Sequence, residues 1–272
     1  MKKYFPLTKI IFKRLLAFTI LGSLLNLFSI PVFAQNALET IQKTKTIKIA
    51  IPTDFPPYGF VGVDLQPQGL DVEMAQLIAQ RLGVKVELVP VSSPNRVAYL
   101  QTKKVDLVIS TLGRTVEREK VIDFTHSYAP YYQAVFGPKT SSIKSFNDLA
   151  GQTISTTRGS LEDTELTKLA PASAQIKRFE DNSSTVAAYV AGQVQLVATG
   201  ASVAAAMAQK NPQLASEFKL LIKDSPCFIG VAKGEDALRM KVNEVITAAH
   251  KAGDLERLSQ KWLSRSTGEL PE

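Results

Sequence analysis

Short apolar runs of strand length alternate with segments of helical periodicity along most of this chain. The run Ile47–Ile51 groups branched residues ahead of Pro52, which cannot donate to a ladder, and so predicts a buried strand. Over Leu70–Leu82 the apolar positions Val72, Ala75, Ile78, Ala79 and Leu82 form one helical face, and Gly83 supplies a natural C-terminal stop. A strand over Lys85–Val89, a short helix over Arg96–Gln101 and a strand over Asp106–Ser110 complete a first block. Strand–helix–strand order of this kind predicts a parallel sheet covered on both faces.

The pattern then recurs. Thr153–Thr156, Gln175–Phe179 and Gln195–Ala198 read as strands, and Leu161–Leu169, Ser184–Ala191 and Ala201–Gln209 as helices. Two extended segments, Tyr128–Phe136 and Ser225–Val231, bridge the blocks, and the helices Glu235–Ala252 and Asp254–Leu263 close the chain. The expected fold class is therefore α/β, with two lobes, each a mostly parallel sheet flanked by helices, joined by a two-strand hinge. Its expected parts are lobe 1 over 35–132, lobe 2 over 133–226, a return to lobe 1 over 227–265 and a tail over 266–272. Ligands of open α/β sheets bind beyond the carboxyl ends of the strands. The loops after Ile51, Ile109, Thr156 and Ala198 should line the cleft.

Composition changes this picture mainly at the N-terminus. Lys2, Lys3, Lys9, Lys13 and Arg14 precede an apolar stretch from Leu15 to Phe28, and small residues stand at Val32 and Ala34. This is the pattern of a secretory signal peptide over 1–34, cleaved before Gln35. Gly22, Ser23, Asn26 and Ser29 dilute the apolar run and argue against a retained anchor. The segment carries five basic residues and no acid, so the formal charge of +7 falls to +2 without it. A nucleic-acid partner then loses its electrostatic basis. Cys227 is the only cysteine, so no intrachain disulfide forms, and no Cys/His spacing suggests zinc.

The stretch from Val108 to Phe124 carries the most chemistry. A buried strand ends in Ser110 and Thr111, and Arg118 follows within a turn or loop. Two hydroxyls and a guanidinium brought to one point suit a carboxylate, because arginine can donate in parallel to both oxygens. The alternative is a surface pairing of Arg118 with Glu117 or Asp123.

Several motifs, in order, resemble the polar amino-acid periplasmic binding proteins of ABC importers, extracellular solute-binding family 3. They are Asp54-Phe-Pro-Pro-Tyr58, Gly69-Leu-Asp-Val72, Val105 to Thr111, Thr115-Val-Glu-Arg118, Val121-Ile-Asp-Phe124, Ser145 to Gly151, and Lys261-Trp-Leu263. The resemblance implies that Phe55 packs on the aliphatic stem of the ligand and that Ser110 and Arg118 hold its α-carboxylate. It also implies that Gly159 and Ser160 donate from the second lobe, with Thr111 beside Ser110 in the binding set. Asn95-Arg96-Val97 resembles an element of the acidic amino-acid binders, in which the arginine faces the side-chain carboxylate. Arg158 adds a further cation beside it, and an acidic amino acid or related dicarboxylate is the expected ligand. One position departs from the family: Gly200 falls where an aspartate usually receives the ligand's ammonium. Either Asp163, Asp181 or another acid substitutes, or the ligand lacks an ammonium group.

These features imply a monomeric periplasmic protein without cofactor that captures its ligand by hinge closure and presents it to a permease in the inner membrane. Tyr128, Tyr131 and Tyr132 are expected to brace the hinge, and Cys227 to be a small buried residue. A rival is an enzyme resembling cyclohexadienyl dehydratases, in which Asp54 or Asp163 would act as an acid. No nucleophile–base set supports it, since His126 and His250 are the only histidines and lie far apart in sequence. A sensor or wall-bound module, the second rival, would require a further domain beyond Trp262.

Overall fold

The computed structural model describes residues 36–271, besides Met1; apart from that residue, the predicted signal peptide lies outside the described residues. Two five-stranded sheets organise the chain. The first takes β1 (Thr46–Ile51), β5 (Lys85–Pro90), β6 (Leu107–Leu112), β7 (Ile122–Ala129) and β13 (Cys227–Ala232), in the order β5-β1-β6-β13-β7. The second takes β8 (Tyr132–Pro138), β9 (Thr153–Thr157), β10 (Gln175–Phe179), β11 (Leu196–Gly200) and β12 (Ser216–Asp224), in the order β10-β9-β11-β8-β12. A small antiparallel sheet of β2 (Asp54–Phe55), β3 (Gly59–Val61) and β4 (Pro67–Gln68) covers one end of the first lobe.

In each large sheet three strands pair in parallel, as the repeat of apolar runs predicts, while one strand, β13 or β8, runs in the opposite direction between the third of these and the fifth strand, β7 or β12. The expected single extended segment Tyr128–Phe136 is in fact the junction of two strands. β7 ends in the first sheet at Ala129, and β8 begins in the second at Tyr132. The return crossing lies between β12 and β13, and Ser225 N–H donates to the Tyr131 carbonyl at 3.1 Å, tying the two crossings together. β7 and β12 went unpredicted as strands. In β7 the polar residues Asp123, Thr125, His126 and Ser127 interrupt the apolar run, and β12 is an edge strand with alternating exposure.

The predicted helices are present with small shifts at their ends. They are α2 (Leu70–Leu82), α3 (Arg96–Gln101), α5 (Leu161–Leu169), α6 (Asn182–Val190), α7 (Ala201–Lys210), α8 (Asp236–Lys251) and α9 (Asp254–Leu263). To these are added α1 (Ala37–Thr44) and the single turn α4 (Val116–Glu119). Odd positions of β1, such as Ile47, Ile49 and Ile51, face a core shared with α2, α8 and α9, whereas Ala50 and Val108 face α3. Both faces of the sheet are therefore buried, which is why its strands read as continuous apolar runs. The second lobe repeats the arrangement, with α5 on one face and α6 and α7 on the other. No helix among the described residues is long and apolar enough to cross a membrane.

Candidate functional site

The lobes meet over a cavity of about 10 Å³, lined from the first lobe and its hinge by Phe55, Arg96, Thr111 and Tyr131 and from the second by Thr157, Ser160 and Glu162. That is room for about one water. The carboxyl ends of β6, β9 and β11 all open onto it.

Arg96 opens α3 behind the turn Ser93–Asn95 and is almost wholly buried, at 4% exposure. Its Nε donates to the Ser93 carbonyl at 3.1 Å and its Nη1 to the Ser110 carbonyl at 2.7 Å. Nη2 reaches across the cleft to the Gly159 carbonyl at 3.4 Å. Arg118 arrives from the other side. Thr115 caps its one-turn helix by accepting from Arg118 N–H at 3.2 Å, which turns the arginine inward. Nη1 of Arg118 then donates to the Gly113 carbonyl at 2.7 Å and Nη2 to the Gly159 carbonyl at 2.9 Å. Two guanidinium groups of one lobe thus converge on a single oxygen of the other. Burial, reinforced by the nearby Arg96 charge, lowers the Arg118 guanidinium to about 9. Neither arginine forms an ion pair with any described residue.

The second lobe meets them with backbone. Gly159 has φ of +69°, and a Cβ there would lie 3.2 Å from the Pro94 Cα of the first lobe, so any other residue would be strained in backbone and would have to push Pro94 back. Ser160 is the N-cap of α5, accepting from Asp163 N–H at 3.1 Å, and still lines the cavity. A second bridge between lobes lies at the cleft rim. Asp54 accepts from Asn182 N–H at 2.7 Å, Asn182 Nδ2 at 2.9 Å and Ser183 N–H at 3.3 Å, capping the start of α6.

A buried polar layer supports the first-lobe wall. Asp71 on α2 is fully buried and accepts from Thr111 N–H at 2.9 Å and from the Tyr128 hydroxyl at 2.7 Å. Those bonds hold Thr111 at φ of +43°, a conformation rarely adopted by a β-branched residue. Burial raises the Asp71 carboxyl to about 7 despite both hydrogen bonds and the Arg96 charge.

Of the residues picked out in the sequence, Phe55, Arg96, Thr111 and Ser160 line the cavity, while Arg118 and Gly159 close its flank. Ser110 is buried beside it, and its carbonyl serves to position Arg96. Arg158 does not join them. Its Nε donates to Glu180 at 2.6 Å on the outside of the second lobe, because its N–H is tied into the β9–β10 ladder through Phe179 O and the side chain alternates outward. Tyr131 does more than brace the hinge: it lines the cavity and gives its hydroxyl to Glu162. Asp163 and Asp181 are occupied elsewhere, Asp163 by Arg178 at 2.7 Å and Asp181 as the cap of α6.

The acid that sequence reasoning missed is Glu162. It is 4% exposed, lines the cavity and, like the two arginines, forms no ion pair among the described residues. Its position in the first turn of α5, right after the Gly159-Ser160 element, was the available signal. The lining holds neither histidine nor cysteine. His126 and His250 border a shallow depression between β7 and α8, and Cys227 is buried at the hinge. Among the described residues no cluster of His, Cys, Asp and Glu could hold a metal.

The chain resembles L-cystine-binding protein TcyJ of Escherichia coli, 24% identical over 237 residues that cover 86% of this chain and 89% of that protein. It is 26% identical over 240 residues to the glutamine-binding protein GlnH of Bacillus subtilis, covering 86% and 87% of the two chains. A crystal structure of the solute receptor for L-cysteine of Neisseria gonorrhoeae superposes with a TM-score of 0.79 at 30% identity, over 86% of this chain and 99% of that one. These relatives are binding proteins, which sets the enzyme rival aside. Residues 47–265 match the family model of bacterial extracellular solute-binding proteins, family 3, and the chain belongs to that family.

Proposed function

We propose that this protein captures an amino acid, with an acidic one preferred, for an ABC importer, and that closing of the two lobes is the capture step. One observation carries the reading. Arg96 and Arg118 are largely buried without carboxylate partners among the described residues, and both donate to one carbonyl of the opposing lobe. Buried charges of this kind are costly unless a partner of opposite charge completes them. A ligand carboxylate is a stronger acceptor than a peptide carbonyl and would take over those donors. The residues around the cavity carry two guanidinium charges against the single carboxylate of Glu162. Asp71, one layer behind and raised to about 7, offsets only part of that difference. A ligand with one net negative charge, as in glutamate or aspartate, restores balance, whereas a cationic side chain adds to the excess. Phe55, stacked on Tyr58 with ring centroids 6.0 Å apart, offers an apolar wall for the ligand's stem.

In the same reading the chain is exported to the periplasm with loss of residues 1–34, acts as a monomer and delivers its ligand to an inner-membrane permease that reads the closed form. The test is thermal denaturation of the secreted protein against the common L-amino acids, cystine and dicarboxylates. At a hundredfold excess over Kd a ligand stabilises the folded form by about 2.7 kcal/mol, a rise in Tm of about 5–10 °C for a protein of this size. Glutamate or aspartate should give the largest rise. A larger rise with arginine or lysine would defeat the acidic preference, and no rise with any amino acid would defeat the reading altogether.

A further inference from the structure

We propose that Glu162 is the specificity residue that admits α-amino acids and rejects the corresponding ammonium-free acids, by accepting hydrogen bonds from the ligand's ammonium group. The inference rests on the amino-acid reading and adds the position of the second half of the zwitterion.

The geometry begins at Gly200, the last residue of β11. A Cβ there would lie 2.4 Å from Tyr131 Cε2 and 2.8 Å from the Tyr131 hydroxyl, so no side chain fits while that ring is in place. The end of β11 therefore cannot supply an acid. Tyr131 fills the space instead, packed edge-on against Tyr58 at 5.3 Å, and its hydroxyl is bonded to one oxygen of Glu162. That single side-chain bond leaves Glu162 with unused acceptor positions, since an ionised carboxylate has about four. Arg96 attracts Glu162 without touching it: its nitrogens are spent on the carbonyls of Ser93, Ser110 and Gly159. The wall thus holds a carboxylate fixed by a hydroxyl, nearly excluded from water and in no ion pair among the described residues.

A second feature points the same way. Gln133 is the ladder partner of Gly200, is completely buried, and has no hydrogen-bond partner for either amide atom. It shares its sheet face with Val135, two residues on, and Val135 packs in the cluster that contains Leu166 of α5. Thr156 lies on that face as well, with Ile154, and its hydroxyl is likewise unpartnered. Unused polar groups are rare in folded proteins, and these surround the Gly200 end of the second sheet beneath the helix that carries Glu162. An ammonium group brings three donors and one positive charge. It matches the Glu162 carboxylate, which lines the cavity, better than a methylene, a keto oxygen or a second carboxylate does.

The experiment measures Kd by calorimetry for two pairs, L-glutamate with 2-oxoglutarate and L-glutamine with 2-oxoglutaramate, on the wild type, Glu162→Gln and Tyr131→Phe. In the wild type the amino acid of a pair should bind at least tenfold more tightly than its oxo acid. Glu162→Gln should lose at least tenfold in amino-acid affinity and leave the oxo acid within about threefold, collapsing the ratio. Tyr131→Phe should lower the ratio less. Equal affinities within both pairs in the wild type, a measurement independent of whether any variant folds, would overturn the proposal, as would a Glu162→Gln protein with an unchanged ratio. If the wild type binds no amino acid in the wider panel, the amino-acid reading itself has failed. Binding of amino acids with no discrimination against the oxo acids removes Glu162's role and leaves that reading standing.

Discussion

The bridge from Asp54 to α6 gives the most direct handle on closure, because Asp54 joins the lobes without itself lining the cavity. Asp54→Ala removes three hydrogen bonds made by a carboxylate to Asn182 and Ser183, at 2.7, 2.9 and 3.3 Å. Bonds to a charged group contribute about 1.5–3 kcal/mol each when well formed, and the charge at a helix N-terminus adds about 0.3–1 kcal/mol. Asp54 is only partly buried and water replaces much of what is lost, so about 2 kcal/mol of closed-state stability is the reasonable net figure. That corresponds to about a thirtyfold change in the ratio of closed to open forms. The size of the effect on Kd depends on how far the lobes are closed before ligand arrives, whereas release is eased in either case: the bound ligand escapes through opening, and opening becomes easier. Stopped-flow displacement of a bound amino acid should therefore show a dissociation rate raised by about tenfold or more. Asp54→Asn, which keeps one acceptor, should fall between wild type and alanine. A dissociation rate unchanged in Asp54→Ala would refute the assignment of Asp54 as a closing contact.

Two further outcomes are expected. Arg118→Ala should weaken amino-acid binding by about 2–3 kcal/mol, thirtyfold or more, while Arg158→Ala, which removes only the outer contact with Glu180, should leave Kd within about twofold; calorimetry on the two variants side by side checks both. Asp71 has its pKa raised by folding, from 3.8 to about 7, so the stability it confers is whole below the lower value and is lost as pH rises to the upper one. Over that window the loss is ~4 kcal/mol, and urea unfolding at about pH 5 and pH 8 should show a decline that is distinctly smaller in Asp71→Asn; equal declines would show that burial of this carboxyl is not the source.

The lobes, the repeat and most of the helices are legible in the sequence because strands buried on both faces must be apolar throughout, and helices such as α8 must keep one apolar stripe, here Leu238, Val242, Val245, Ile246 and Ala249. The antiparallel strands are not legible by the same rule. Val121 to Phe124 read as part of a motif around Arg118, yet β7 runs on to Ala129 through polar positions that find partners only in three dimensions, such as Thr125 hydroxyl accepting from Ile229 N–H at 3.2 Å. The side chains of the cleft divide in a similar way. Arg96 and Arg118 were visible as charges beside strand ends, whereas the fate of Arg158 turns on which side of β9 it leaves, and a one-residue change of phase sends a side chain to the opposite face.

What the sequence conceals altogether is the part played by the main chain. The point on which the two guanidinium groups converge is the carbonyl of Gly159, and no residue type announces where a carbonyl will point. Glycine is nevertheless favoured there, by the left-handed turn and by the approach to Pro94. The same economy holds at Gly200, where the missing side chain makes room for Tyr131 and so transfers the acid of the site to Glu162 on the neighbouring helix. Both glycines act by what they allow other groups to do. In the proposed reading closure and ligand recognition are one event: the guanidinium groups that hold Gly159 across the cleft are those that a ligand carboxylate would occupy, so ligand and second lobe engage the same donors. On that reading such a site would bind most tightly the ligand that satisfies both arginines while leaving the carbonyl of Gly159 within reach, which favours a small, planar, bidentate anionic group over a bulky one.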